Sequence, residues 1–156
     1  MAGPVDYDRI TIAPDQDAQA WWDATKEKKF CIGKCNDCGH KFYPTWPSCM
    51  NCTSMNVGLM PIEGKGVIHT YNVVTQPIMA HLIETVPYIH AIIEIPEGTN
   101  ADGSKTRIGG LMLDDEEHIG IGSEVELKWD DHPKQDYKIP RWQVIDKNAK
   151  VWKYPG

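Results

Sequence analysis

Apolar and polar positions alternate with two different periods along this chain. In DQDAQAWWDATKEKKF, residues 15–30, Ala18, Trp21, Trp22 and Thr25 recur at three- and four-residue spacing. That is the period of a helix with one apolar face. Asp15, directly after Pro14, is a candidate N-cap, and a helix of about 14 residues is predicted. From Gly64 the texture changes. VIHTYNVVT, YIHAIIEI, TRIGGLML, SEVELKW and RWQVI are short runs rich in β-branched and aromatic residues, separated by turn signals. Five strands follow from them, with EGKGV leading into the first and HIGIGS preceding the fourth. IPEGTNADGS reads as a long hairpin loop, and the tail AKVWKYPG as an added edge strand.

Five strands suit a small closed barrel of the oligonucleotide/oligosaccharide-binding (OB) type, which avoids open edges by near-closure. A two-sheet sandwich is the competing arrangement. The fold class expected is mainly β, with an N-terminal helix, a metal ribbon and a five-stranded OB-fold barrel. The segments divide as 1–30, leader and helix; 31–62, ribbon; and 63–156, barrel and tail.

The ribbon is read from four cysteines. Cys35 and Cys38, then Cys49 and Cys52, form two C-x2-C pairs with ten residues between them. This spacing lets two thiolate-bearing knuckles face one tetrahedral ion, and structural Zn²⁺ is the expected occupant. A closed four-thiolate shell leaves no position for substrate, so the metal is expected to act in structure. Gly39 occupies the position after a cysteine pair where a knuckle needs positive φ. Phe42, Tyr43 and Trp46 are expected to supply the small module's apolar packing. His40 is not needed as a ligand. Cys31 lies outside the pattern and reads as a small buried hydrophobe.

Composition narrows the setting. With 156 residues, 41% hydrophobic and 24% charged, the chain has the make-up of a folded protein with one moderate core. It contains no run of 18 apolar residues, so no membrane-spanning helix is expected, and MAGPVDYDRI lacks a signal-peptide core. Free thiolates favour a reducing, cytoplasmic location. The formal charge of −6 would fall to about −8 with Zn²⁺ on four thiolates. Lys26 to Lys41 carries five lysines against two acids, whereas Glu97 to Asp131 carries ten acids against three basic residues. Overall acidity and only three arginines count against nucleic acid as a partner.

Several features together resemble the DUF35 family of acyl-CoA-associated proteins. They are the Trp-bearing helix, C35-x2-C38-G39, P44-T45-W46-P47, C49-x2-C52, G64-K65-G66-V67, P87-Y88 and I119-G120-I121-G122-S123-E124-V125. The resemblance implies a rubredoxin-like zinc ribbon and an OB barrel. It also implies a non-catalytic accessory subunit bound to a larger thiolase-fold catalytic subunit as a hetero-oligomer such as a heterotetramer. Associations described in the family include archaeal acetoacetyl-CoA thiolase with hydroxymethylglutaryl-CoA synthase, steroid side-chain aldolases, phloroglucinol acyltransferases and aromatic β-ketoacyl-CoA thiolases. The short length and ribbon-first order are similar to the last group. The substrate implied is then benzoylsuccinyl-CoA in anaerobic toluene degradation, with CoA or acyl-CoA bound by the complex. Many members carry Pro-Pro-Arg between the cysteine pairs; Pro44, Thr45 and Trp46 stand here instead, with Lys34 or Lys41 as the available cations.

Thiolysis requires a nucleophilic cysteine, a base and oxyanion donors. Cys31 is the one non-ribbon cysteine, and no serine or histidine motif accompanies it, so the chain is not expected to catalyse alone. His69, His81, His90, His118 and His132 show no metal-type spacing, and Asp114, Asp115, Glu116 and Glu117 read as an acidic turn. Candidate partner-interface residues are Trp21 and Trp22 on the helix and Ile78, Met79, Leu82 and Ile83 in QPIMAHLIETVP. For both groups, coverage of the core or barrel end is the alternative. A free-standing acyl-CoA-binding or nucleic-acid-binding barrel is the alternative function.

Overall fold

A computed structural model describes residues 3–155; the first two residues of the predicted leader segment and the last residue of the predicted tail lie outside them. The helix α1 spans Gln19–Lys26, shorter than predicted. Asp15 does cap, but one turn too early to start the helix. Its carboxylate accepts from the Ala18 amide at 2.8 Å and its carbonyl from the Gln19 amide at 3.0 Å. At the other end Lys28 turns to φ 56° and the Lys29 amide reaches back to the Ala24 carbonyl at 3.1 Å, sending the chain into a strand. The predicted apolar face is kept, with Trp21 and Thr25 buried.

Strands β1 (Phe30–Cys35), β2 (Lys41–Phe42) and β3 (Val57–Ile62) form an antiparallel sheet in the order β2-β1-β3. β1 begins in the core at Phe30 and Ile32 and ends at Cys35, so one strand ties the core to the cysteine cluster. The five predicted barrel strands all form: β4 (Lys65–Val74), β5 (Tyr88–Thr99), β6 (Lys105–Leu111), β7 (Glu124–Asp131) and β8 (Lys138–Val144). Their order is β6-β5-β4-β7-β8. The sheet curls until its ends meet through a parallel bridge between Met112 and Trp142, with the Leu113 amide donating to the Trp142 carbonyl at 2.8 Å. The OB-type barrel thus removes its own edges. β5 runs past the predicted end through Pro96 to Thr99, with a register irregularity between Ile95 and Thr99, so the connection to β6 is short. In the tail, Trp152 bridges Ile121 and the Tyr154 ring lies 4.9 Å from that of Tyr71.

Ribbon base, helix and barrel share one core. The Phe30 ring stands 5.3 Å from Trp21 and 6.1 Å from the fully buried Trp142, both edge-on. Ile32, Ile93 and Ile108 pack into the same cluster, each contributing about 1.5–3 kcal/mol by leaving water. The expected ribbon packing holds for Phe42, which is buried, and Tyr43, which lies 5.7 Å from Phe30. It fails for Trp46, which is 52% exposed. Phe42 already fills the space over Gly33, where an added Cβ would come within 2.5 Å of its ring. A third ring has nothing to cover there.

The leader is an ordered strap on the barrel. Gly3 and Asp6 donate to the carbonyls of Thr85 and His81 at 3.2 and 3.0 Å. Ile12 exchanges two hydrogen bonds with the Gln135 side chain. The Tyr7 hydroxyl donates to Asp130 at 2.5 Å, and Arg141, itself buried, reaches the same carboxylate at 2.9 Å. Among the described residues no helix is long and apolar enough to cross a membrane.

Candidate metal centre and apolar surface

The two cysteine pairs fold into knuckles with one hydrogen-bond plan. In the first, the Cys35 amide donates to the His40 carbonyl at 2.9 Å and the Gly39 amide to the Cys35 carbonyl at 3.0 Å. In the second, the Cys49 amide donates to the Ser54 carbonyl at 2.8 Å and the Thr53 amide to the Cys49 carbonyl at 2.9 Å. Asp37 joins them from the loop, accepting from the side chains of Ser54 and Asn56. The paired turns aim all four sulfurs inward, and they lie within 4.8 Å of one another. Cys35 and Cys52 sulfurs are 3.6 Å apart, and those of Cys38 and Cys49 are 3.7 Å apart. Cys35 and Cys49 are buried at the base, while Cys38 and Cys52 form an exposed lip.

Proton affinity within this cluster is split. The His40 amide and the Asn51 side chain pull the Cys38 thiol down to about 6. At Cys52 the Ser54 amide pulls the same way, but the sulfurs of Cys38, Cys35 and Cys49 push it up to about 12. Several thiolates crowded together cannot all ionise without a cation among them. Four sulfurs so placed could hold one metal ion.

No other predicted chemistry gathers at this centre. Cys31 is 2% exposed, and burial pushes its thiol up against the pull of Lys29. Asp114 is structural, its carboxylate taking the Val144 amide at 2.7 Å and the Lys147 amine at 3.1 Å. The Lys41 amine is directed at the Thr99 carbonyl.

The apolar candidates separate clearly. Trp21 is in the core, its indole N–H donating to the Cys31 carbonyl at 2.9 Å. Trp22 is half-buried, edge-on to Tyr137 at 5.7 Å. Ile78 is 93% exposed, Met79 57% and Ile83 49%, whereas Leu82 is half-buried. Leu82 and Met79 wall a cleft of about 420 Å³ with Tyr7, Tyr88 and Leu111. Sequence reasoning did not anticipate that cleft, because one wall is the aperiodic leader.

A four-cysteine ribbon built onto a closed five-stranded barrel is the class that fold and site define. Residues 60–130 match the family described as the C-terminal OB-fold domain of ChsH2. A DUF35 domain-containing scaffold protein of Methanocaldococcus jannaschii is 32% identical over 108 residues, which are 67% of this chain and 71% of that protein. The chain belongs to the DUF35 family. A probable enoyl-CoA hydratase alpha subunit of Thermomonospora curvata is 30% identical over 117 residues; the match takes in 75% of this chain but 34% of that longer protein. In three dimensions a chain of the Ltp2-ChsH2(DUF35) aldolase superposes with a TM-score of 0.72 at 24% identity, over 86% of this chain and 98% of that one. That likeness bears on the fold.

Proposed function

We propose that this chain is a non-catalytic scaffold subunit of a larger thiolase-fold enzyme that acts on a β-ketoacyl-CoA. The observation that carries the reading is the uncovered apolar segment at the barrel mouth, where Ile78, Met79 and Ile83 face solvent. Three such side chains on one short segment are characteristic of a docking surface. The scaffold name of the archaeal relative and the DUF35-containing aldolase among similar structures support it. A buried Cys31 with a raised pKa is poorly suited to nucleophilic attack, so thiolysis is assigned to the partner. The assembly is a hetero-oligomer, such as a heterotetramer, in the cytoplasm. The acyl substrate is benzoylsuccinyl-CoA of anaerobic toluene degradation, bound with its CoA by the complex.

Cys35, Cys38, Cys49 and Cys52 hold a structural Zn²⁺ in this reading. Zinc–sulfur bonds of about 2.3 Å in a tetrahedron require sulfurs about 3.8 Å apart. Two of the six separations, 3.6 and 3.7 Å, match that edge, and all six lie within 4.8 Å. Bound there, zinc supplies cross-linking of the two knuckles. The ribbon would comprise residues 31–62 and the barrel 63–156. Co-expression with a thiolase-fold subunit tests the proposal: the two chains should co-elute at fixed ratio. Separate elution at micromolar concentration refutes it.

A further inference from the structure

Three adjoining depressions run along one side of the molecule. The central groove, about 460 Å³, opens between α1 and the ribbon loop and is lined by Trp22, Tyr43, Trp46 and Pro140, with Asp15 and Asp17 on its rim. A second, about 270 Å³, shares Asp17, Thr45 and Trp46 with it. The cleft of about 420 Å³ shares Ile139 and Pro140 and continues to Met79 and Leu82. Linked in this way, they form a track suited to an extended chain.

The chemistry of its middle is aromatic and anionic. Trp46 is 52% exposed, and Trp22 and Tyr43 are half-buried beside it. Among the described residues no lysine or arginine pairs with Asp15 or Asp17; Lys26, at the far end of α1, is taken by Asp23 and Asp136. Indole and phenol faces attract cations, and guanidinium stacks on them especially well. This surface already uses that contact once, with the Lys26 amine 4.8 Å from the centre of the Tyr137 ring, which packs on Trp22. An apolar anchor would gain nothing from two carboxylates at the rim, whereas a cation gains from both rings and acids.

We propose that this track receives an extended segment of the partner subunit, with an arginine or lysine side chain inserted among Trp22, Tyr43 and Trp46 and its charge met by Asp15 and Asp17. The proposal rests on the scaffold reading above and identifies the chemistry of what docks. Asp15 also holds the turn before α1, so Asp17 is the cleaner position for substitution.

The test titrates the full metal-loaded chain with acetyl-Pro-Arg-Pro-amide and with its citrulline counterpart, which keeps the shape and removes the charge. The readout is the indole N–H resonances of Trp22 and Trp46. The arginine peptide should shift both saturably, with affinity at least about tenfold above that of the citrulline peptide. Asp17→Asn and Trp46→Ala should each weaken it several-fold, with the other amide resonances in place. Equal affinity for the two peptides, or no saturable shift up to roughly 10 mM, overturns the proposal. Because the titration contains no thiolase subunit, such a result leaves the scaffold role standing. Failure of the wild-type chain to co-elute with that subunit overturns the scaffold role instead.

Discussion

Gly39 and Thr53 occupy the same position in two matching knuckles, and both adopt left-handed backbone, with φ of 75° and 63°. Each donates its amide to the carbonyl of the first cysteine of its pair. Glycine takes this conformation freely, whereas a β-branched residue is strained there. The second knuckle therefore holds strain that the first does not. An added Cβ at Gly39 would meet nothing within 4 Å, so the backbone alone decides the effect of a substitution. Gly39→Ala should cost about 1–2 kcal/mol, and Thr53→Gly should be neutral or stabilising by up to about 1 kcal/mol. Thermal unfolding of the metal-loaded variants checks this; equal destabilisation by both would contradict it.

The lip and base of the cysteine cluster should fail together. Cys38→Ala removes an exposed sulfur and Cys49→Ala a buried one. Either should abolish stoichiometric zinc binding and disorder residues of the ribbon, while the barrel strands persist. Elemental analysis and amide exchange read the two effects. A variant that keeps one zinc per chain would remove that cysteine from the ligand set.

Much of the fold was legible because its strands are half-buried and alternate. In β5, Ile89, Ala91, Ile93 and Ile95 all point inward, as period two requires. Four cysteines at fixed spacing were equally plain, and so was Gly39. Thr53 was not, since nothing in a threonine announces positive φ and its conformation follows from the matching hydrogen-bond plan. The helix is shorter than its pattern predicts because Asp15 caps a separate turn before Gln19. The leader was opaque for a different reason. Its contacts, such as Tyr7 to Asp130, cross more than a hundred residues and leave no local period. Adjacent tryptophans carry no local signal that separates them; it is Phe30 and the Cys31 carbonyl, outside the helical period, that enclose Trp21 and leave Trp22 at the rim.

Tyr7 gives the strap a pH signature. Burial, then its hydrogen bond to Asp130, raise the phenol to about 12, against the pull of Arg141. Because the folded value exceeds the unfolded one, this contribution to stability is complete below pH 10 and is lost as pH rises towards 12. Ultraviolet titration should find a phenol ionising near 12 that disappears in Tyr7→Phe. An unchanged titration curve in the variant would contradict the assignment.

Exposed and enclosed apolar residues should respond in opposite ways to substitution. Ile78→Glu and Met79→Glu should leave zinc content and unfolding temperature close to wild type while weakening partner affinity more than tenfold. Trp21→Ala should instead cost about 3–5 kcal/mol of stability, because it empties a core position and orphans the Cys31 carbonyl. Calorimetry with and without the partner separates the two classes. Normal partner affinity in both folded glutamate variants would exclude this segment from the interface.

The most direct measurement is thiolysis of a β-ketoacyl-CoA, with benzoylsuccinyl-CoA as the first substrate, by three preparations: this chain alone, the thiolase-fold subunit alone, and the two combined. This chain should show no turnover, the other subunit little, and the recombined pair full activity at the co-eluting ratio. Turnover by the isolated, contaminant-free chain would contradict the scaffold role, as would full activity of the thiolase-fold subunit after this chain has been completely removed.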